Sequence, residues 1–434
     1  MPNNTHPFNV PASLRIALVT ETWPPEVNGV ALSCWHLAQR LDGKGITVQL
    51  VRPHQVADHG DGPTSPPVLE GGHQVLVPGL AIPFYPGLRL GLPVGRRLMD
   101  SWRDWQPQLV HIATEGPLGM AALWAARRLG LPVVSDYHTH FDLYGSAYGL
   151  PFAPLLARRW LKAFHDRCDT TIVPTRALAR QLEDRGWPRV TVVGRGLDTG
   201  LFNPARRRRW LREIWGVAEN APVVLLVSRL SAEKNLELAI KAFERMHRAD
   251  PRCRLVVVGD GPSRARLQAL APHAVFCGVR RGNELAAHYA SADIFLFPSL
   301  SETYGNVIPE ALGSGLAVVA FRHAAAQELV HHGVNGLLAE PGSPDSFIAL
   351  AESLVRQPLL ATGLRTQGPA AVADLDWDRI AGHQRTLYEQ VLARRHSRVA
   401  TTPATDDAWY RGPGDAVVHP VAPLGEPRGC ADPA

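Results

Sequence analysis

The chain has 434 residues, of which 45% are hydrophobic, and a formal net charge of +5 at pH 7. That length suits two domains rather than one, and the apolar share is ordinary for a globular protein. The positive balance favours anionic partners (phosphates, an acidic membrane face or nucleic acid) or else reflects a soluble protein from an arginine-rich proteome.

The first ten residues lack a basic start and a long apolar core, so no signal peptide is expected there. Leu14–Thr20 reads as a strand, and a helix follows near Val30–Leu41. Between them lies Thr20–Val30, with Gly29 opening the helix. A dinucleotide enzyme would carry G-x-G-x-x-G at this place. Its absence counts against a nicotinamide or flavin oxidoreductase. Gly29 reads either as a tight turn or as a point where a ligand approaches N–H groups at a positive helix end.

Further strands are expected at Thr47–Val51, Leu109–Ile112, Val133–Ser135, Thr170–Val173 and Val190–Val193, with helical patterns between several of them. Residues 55–72 are rich in Gly, Pro and Asp and read as a surface loop. Ala81–Leu98 mixes aromatic, aliphatic and Arg residues. It docks on an anionic membrane, lines an acceptor cleft or packs as a loop. His138 follows the strand at Val133–Ser135, where a ligand-contacting histidine and a structural one are both reasonable. His138 and His140 stand two apart with no third ligand nearby, which argues against a metal site.

A second strand series starts at Pro222–Val227 and continues with Leu255–Val258, Val275–Phe276, Ile294–Phe297 and Ala317–Ala320. Leu236–His247 and Asp345–Val355 read as helices. Strands alternating with helices give parallel sheets, so the fold class is α/β with two Rossmann-like units. The domain reading is a tail over 1–13, a first domain over 14–200, a second over 201–375, a helix over 376–395 packing back on the first domain, and a disordered tail over 396–434. The Arg-rich run 205–212, just after the junction, reads as a solvated helix face or an anion site.

Three segments of the second domain stand just past strand ends. Ser228–Asn235 carries Arg229 and Lys234, two cations before a helix that suit a diphosphate. Val258–Pro262 carries Gly261 in a turn of small residues. Ser299–Gly315 carries Glu302 and Glu310, one in the loop and one in a short helix beginning near Asn306. Gly305, Asn306 and Val307 would offer N–H groups to phosphate oxygens, with Glu310 accepting from ribose hydroxyls and Glu302 from sugar hydroxyls. Open α/β sheets bind ligands at such strand ends.

The five cysteines, at 34, 168, 253, 277 and 430, show no metal or redox spacing and point to a reducing compartment. No uncharged apolar run reaches membrane-spanning length, so any membrane contact is expected to be peripheral.

Together these residues resemble the retaining GT-B glycosyltransferases of family 4 over about 14–395. The resemblance rests on Ser301-Glu-Thr-Tyr-Gly-Asn-Val-Ile-Pro-Glu-Ala311, Ser228-Arg-Leu230 with Glu233-Lys-Asn235, Gly259-Asp-Gly-Pro262 and Asn28-Gly-Val30. Within the family, His111-Ile-Ala-Thr-Glu-Gly-Pro-Leu-Gly119 and Asp136-Tyr-His-Thr139 look like GDP-mannose-dependent mannosyltransferases and glycolipid enzymes. It implies two domains facing a cleft and transfer of a hexose, mannose favoured, from GDP-mannose or a UDP-sugar. The implied acceptor is a lipid or lipid-linked glycan, with no nucleic acid partner. Arg229, Lys234, Glu302 and His138 would be catalytic, and Gly29, Gly261, Gly305, Asn306, Val307 and Glu310 would join the donor-binding set. No metal or other cofactor is implied, and the expected place is the cytoplasm or the inner face of its membrane. Tyr304 replaces the usual Phe, His140 stands where Asn is common and Pro309 precedes the second Glu. The rivals are a two-Rossmann oxidoreductase, a non-catalytic sugar-nucleotide or polyanion binder, and a phosphorylase or epimerase of the same fold.

Overall fold

Two parallel sheets carry the chain, one built from residues before 193 and the other from residues after 222. The structure is a computed structural model. It describes residues 13–399 apart from 27, 56–57, 59–68, 70–72, 83–84 and 139–152. Most of the 55–72 loop, His140 and the tail from residue 400 therefore lie outside the described residues. Both sheets belong to one compact unit, which runs to Ala393.

The first sheet contains β1 (Leu14–Val19), β2 (Ile46–Pro53), β3 (His73–Val77), β6 (Leu109–Ile112), β7 (Val133–Asp136), β8 (Thr170–Val173) and β9 (Val190–Val192). Their order is β3-β2-β1-β6-β7-β8-β9. A separate hairpin pairs β4 (Gly79–Ile82) with β5 (Tyr85–Gly91). The second sheet contains β10 (Val223–Val227), β11 (Arg254–Val258), β12 (Val275–Gly278), β13 (Ile294–Phe297), β14 (Ala317–Phe321) and β15 (Gly336–Ala339). Their order is β12-β11-β10-β13-β14-β15.

Apolar runs explain these strands. In the second sheet Val223, Leu225, Phe295 and Phe297 face one core while Val224, Leu226, Ile294 and Leu296 face the other. A period of two with both faces buried is what helices on both sides of a parallel sheet require. In the first sheet Leu14, Ile16 and Leu18 face one core, and Ala17 and Val19 the other. Trp377, Ile380, Ala381, Leu387, Tyr388 and Val391, on the helix Trp377–Val399, are buried in that first core with β1 and β2.

The strand order reverses at β1, between β2 and β6, and at β10, between β11 and β13. In open α/β sheets the ligand crevice forms outside the carboxyl ends at such a reversal. The loops leaving β10 and β13 hold Arg229 and Glu302, and Gly29 starts the helix after the loop leaving β1. Two passages between the halves run side by side, with Leu197 N donating to Leu375 O at 2.6 Å.

Several expectations need correction. The Arg-rich run is not a solvated face throughout. It forms a 3-10 turn, Pro204–Arg206, and a short helix, Arg209–Ile214. Arg212 is buried, and it and Arg207 both pair with Asp293, at 3.0 and 3.2 Å. Leu98 is not available for membrane insertion, because it is fully buried on the helix Gly95–Trp105. The short helix expected from about Asn306 is present as Val307–Gly313, with Asn306 as its N-cap. Strands β3, β4, β5 and β15 and the helix Pro358–Val372 were not anticipated. The last contains Pro369, a residue that argues against a helix interior.

Candidate donor site between the two halves

The loop from β13 carries the two glutamates, and contacts from several elements fix it. Ser301 Oγ donates to Glu233 O at 3.1 Å, and His323 Nε2 donates to Glu302 O at 3.0 Å. Ala325 N donates to Tyr304 O at 2.8 Å. From the first half, His138 O accepts from Thr303 Oγ1 at 2.8 Å. A loop held at so many points needs little reorganisation when charge develops nearby.

Glu302 Oε1 accepts from Lys234 Nζ at 2.6 Å and from Ser299 Oγ at 3.0 Å. Lys234 ends a 3-10 turn, Ala232–Lys234, and Asn235 follows with φ 53°. An asparagine tolerates that left-handed turn better than most residues, and it starts the helix Leu236–Ala249 there. The pair is partly buried, with side-chain exposures of 14% and 18%.

Glu310 accepts from Tyr289 OH at 2.9 Å. Burial pushes its pKa up to about 7, and the Tyr289 hydrogen bond only partly offsets that. This carboxyl can therefore change charge near neutral pH.

Arg229 is exposed in the Ser228–Leu230 loop after β10. The turn after β11 lies directly against that loop. Leu230 N donates to Asp260 O at 2.9 Å, and Ser263 N donates to Leu230 O at 2.8 Å. Gly259 and Gly261 have φ 131° and 158°, and a Cβ at either would stand 1.9 Å from Ser228 O or 2.4 Å from Leu230 O. The small residues are needed for this close approach.

Across the cleft, Gly29 opens the helix Gly29–Asp42. The Asn28 side chain caps it by accepting from Ala31 N at 2.8 Å. A Cβ on Gly29 would lie 3.2 Å from Asn306 Nδ2. The positive end of this helix thus abuts the start of Val307–Gly313, where Gly305, Asn306 and Val307 sit. Gly305 takes φ 89° in the turn before them.

His138 stands just past the end of β7 with its side chain 7% exposed. Arg195 Nη2 donates to its Nδ1 at 2.5 Å, and its Nε2 lies 3.0 Å from Asp136 Oδ2. Burial and the nearby Arg195 lower the His138 pKa. The sequence singled out His138 but not Arg195, although a Gly-Arg-Gly after a strand was a usable signal.

The structure therefore brings together Lys234 with Glu302, Gly29 with Asn306, and His138 with Thr303. Among the described residues no group of three or more His, Cys, Asp or Glu side chains is placed to hold a metal ion.

Residues 27–201 match the family described as Glycosyltransferase Family 4, and residues 221–357 match Glycosyl transferases group 1. The chain is 35% identical over 397 residues to a GDP-mannose-dependent alpha-mannosyltransferase of Mycobacterium tuberculosis, covering 89% of this chain and 99% of the relative. It is 27% identical over 361 residues to an alpha-monoglucosyldiacylglycerol synthase of Streptococcus pneumoniae, covering 80% of this chain and 79% of the relative. Among solved structures, a sucrose-phosphate synthase from Thermosynechococcus elongatus superposes with a TM-score of 0.70 at 20% identity, covering 88% of this chain and 100% of that one. The fold is the two-Rossmann GT-B arrangement, and the chain belongs to glycosyltransferase family 4, as a hexosyltransferase that draws its sugar from a nucleotide sugar.

Proposed function

We propose that this hexosyltransferase moves mannose from GDP-mannose, with retention, to a hydroxyl of a lipid or lipid-linked glycan. The observation that carries the choice of donor is the 35% identity to a GDP-mannose-dependent alpha-mannosyltransferase across nearly its whole length. In this reading Arg229 and Lys234 hold the diphosphate, with N–H groups near Gly305, Asn306 and Val307 and the helix end at Gly29 adding positive potential. Glu310 accepts from the ribose hydroxyls, and Glu302 from the sugar. Gly261 keeps the Arg229 loop in place.

The bond from the anomeric carbon to the diphosphate oxygen breaks, and its electron pair leaves with the diphosphate. The acceptor oxygen bonds to the same face of the carbon, and its proton passes to the departing diphosphate. The cations neutralise the growing charge, so a metal ion is not required. Peripheral membrane contact belongs to the same reading. Leu80 and Leu90 are direct cross-strand partners in the β4–β5 hairpin and are 61% and 38% exposed. Among the described residues no helix is long and apolar enough to cross a membrane.

The test is a panel of GDP- and UDP-sugars offered with a membrane lipid extract and with chelator present. A mannolipid with an α-linkage, made from GDP-mannose alone, is the expected product. Glucosyl transfer from a UDP-sugar to diacylglycerol, the reading that the glucolipid relative favours, would overturn the choice of donor.

A further inference from the structure

A buried chain of side chains leads from the last helix to the donor loop. Tyr388, on the helix Trp377–Val399, places its OH 2.7 Å from His111 Nδ1. His111 Nε2 lies 3.0 Å from Asp136 Oδ1, and His138 Nε2 lies 3.0 Å from Asp136 Oδ2. In both contacts a ring nitrogen stands within donating distance of a carboxylate oxygen of Asp136. Arg195 Nη2 donates to His138 Nδ1, which closes the set.

The proton positions follow from the partners. An arginine only donates, so His138 Nδ1 accepts and its proton is on Nε2, facing the carboxylate. His111 likewise turns Nε2 towards Asp136, with Nδ1 against Tyr388 OH. The two histidines hold Asp136 far below the ordinary carboxylate range despite its burial. Asp136 and Arg195 are both buried, one against each ring nitrogen of His138.

The two ring nitrogens of His138 face Arg195 and Asp136, both in the first half. What it presents to the second half is its backbone carbonyl, which accepts from Thr303 Oγ1 at 2.8 Å. Thr303 adjoins Glu302, the partner of Lys234. We infer that Asp136 and Arg195 are positioning residues, which clamp the His138 imidazole and, through its carbonyl, set the place of Thr303 and Glu302 in the donor loop. His138 in this arrangement transfers no proton. The inference rests on the donor-site reading above, because it is that site the clamp serves.

The experiment is a double-mutant cycle on Asp136→Asn and Thr303→Val, with kcat, donor KM, acceptor KM and melting temperature measured for each protein. Asp136→Asn keeps the shape but removes the charge. Each single variant is expected to lose about ten- to hundredfold in kcat/KM for the nucleotide sugar, since small misplacements of reacting groups cost that much. Acceptor KM should stay near wild type, and the double variant should be no worse than the poorer single. Fully additive losses, or a lower melting temperature with unchanged kinetics in the folded protein, would overturn the inference. If Asp136→Asn does not fold, Tyr388→Phe takes its place in the cycle. It removes only the far hydroxyl and should give a smaller loss, again non-additive with Thr303→Val. Lys234→Ala in parallel separates the two readings: unchanged activity there refutes the donor site itself, whereas its loss beside an additive cycle refutes only the clamp.

Discussion

Lys234 Nζ lies 2.6 Å from Glu302 Oε1, so the cation assigned to the diphosphate and the carboxylate assigned to the sugar hold each other before any donor arrives. The pair keeps both groups in place and shields each from the full cost of partial burial. Lys234→Ala should lower kcat/KM about 10²–10³-fold, the usual loss for one preorganised group stabilising transition-state charge. Glu302→Gln, which keeps some hydrogen bonding to the sugar, should lose less than Glu302→Ala. Steady-state kinetics with the nucleotide sugar varied checks both. Transfer at wild-type rates in Lys234→Ala would rule out this assignment.

Glu310 predicts a pH dependence of donor binding. Its folded pKa is raised to about 7 from 4.5. Below 7 the protonated carboxyl accepts poorly from ribose hydroxyls, so donor affinity should rise with pH and level off above 7. With the unesterified phosphate of GDP avoided by using GDP-mannose, calorimetry without acceptor should show a slope approaching tenfold per unit around pH 6. Stability runs the other way. The folded protein holds this proton more tightly than the unfolded chain, so the contribution is full below 4.5 and lost as pH rises through 7. Glu310→Gln should therefore bind donor weakly, with little pH slope from this site, and melt higher than wild type above pH 7. Glu21 is raised to about 7 by burial as well and remains in the variant, so some pH dependence of stability will persist.

Much of the candidate site was legible because its residues are local in sequence. Glu302 with Glu310, Arg229 with Lys234, and Gly259 with Gly261 each sit within a few residues of a buried strand end, and the apolar runs located those ends. Strands such as Ile294–Phe297 were legible because both faces are buried, leaving no polar interruption. The hairpin Gly79–Gly91 was not, since its glycines and prolines mimic a loop. The partners of His138 were hidden for another reason. Arg195 and Tyr388 meet it only through the tertiary fold, 57 residues away for Arg195, with Tyr388 reaching through His111 across 277 residues. The Arg-rich run misled because composition does not say that Arg212 turns inward onto Asp293.

The Gly-Asp-Gly turn should not tolerate a methyl group. Gly261→Ala places a Cβ 2.4 Å from Leu230 O, a backbone atom that cannot swing aside as a side chain tip can. The same substitution at Gly259 meets Ser228 O at 1.9 Å. The positive φ of 131° at Gly259 adds about 1–3 kcal/mol of strain to its clash. Both variants should displace the Arg229 loop, so their affinity for the nucleoside diphosphate should fall well below that of a control glycine variant with a similar melting temperature. Gly342→Ala is the control, because it has positive φ with nothing within 4 Å and follows β15, which β13 and β14 separate from β10 in the sheet order. It should lose some stability and keep donor affinity.

Arg212 and Arg209 are three residues apart, yet their replacement by alanine should differ sharply. Arg212 donates to Asp293 at 3.0 Å, to Ser291 O at 2.9 Å, and to the carbonyls of Ala218, Glu219 and Ala221 at 3.1, 3.0 and 2.6 Å. Arg212→Ala removes the arginine donor from those carbonyls, of which Ala218 O keeps Ala221 N at 3.1 Å, and opens a cavity. Asp293 keeps Arg207 and Arg365, so the carboxylate is not the main loss. The expected cost is about 3–5 kcal/mol, that of breaking a buried ionic network from one side. Arg212→Lys should recover only part of it, since a lysine cannot span the same fork of carbonyls. Arg209 makes one ion pair with Glu213 at 78% exposure, and Arg209→Ala should stay within about 0.5 kcal/mol of wild type. Urea unfolding of the three variants checks the contrast. Equal midpoints for Arg212→Ala and Arg209→Ala would restore the view that this whole run is a solvated face.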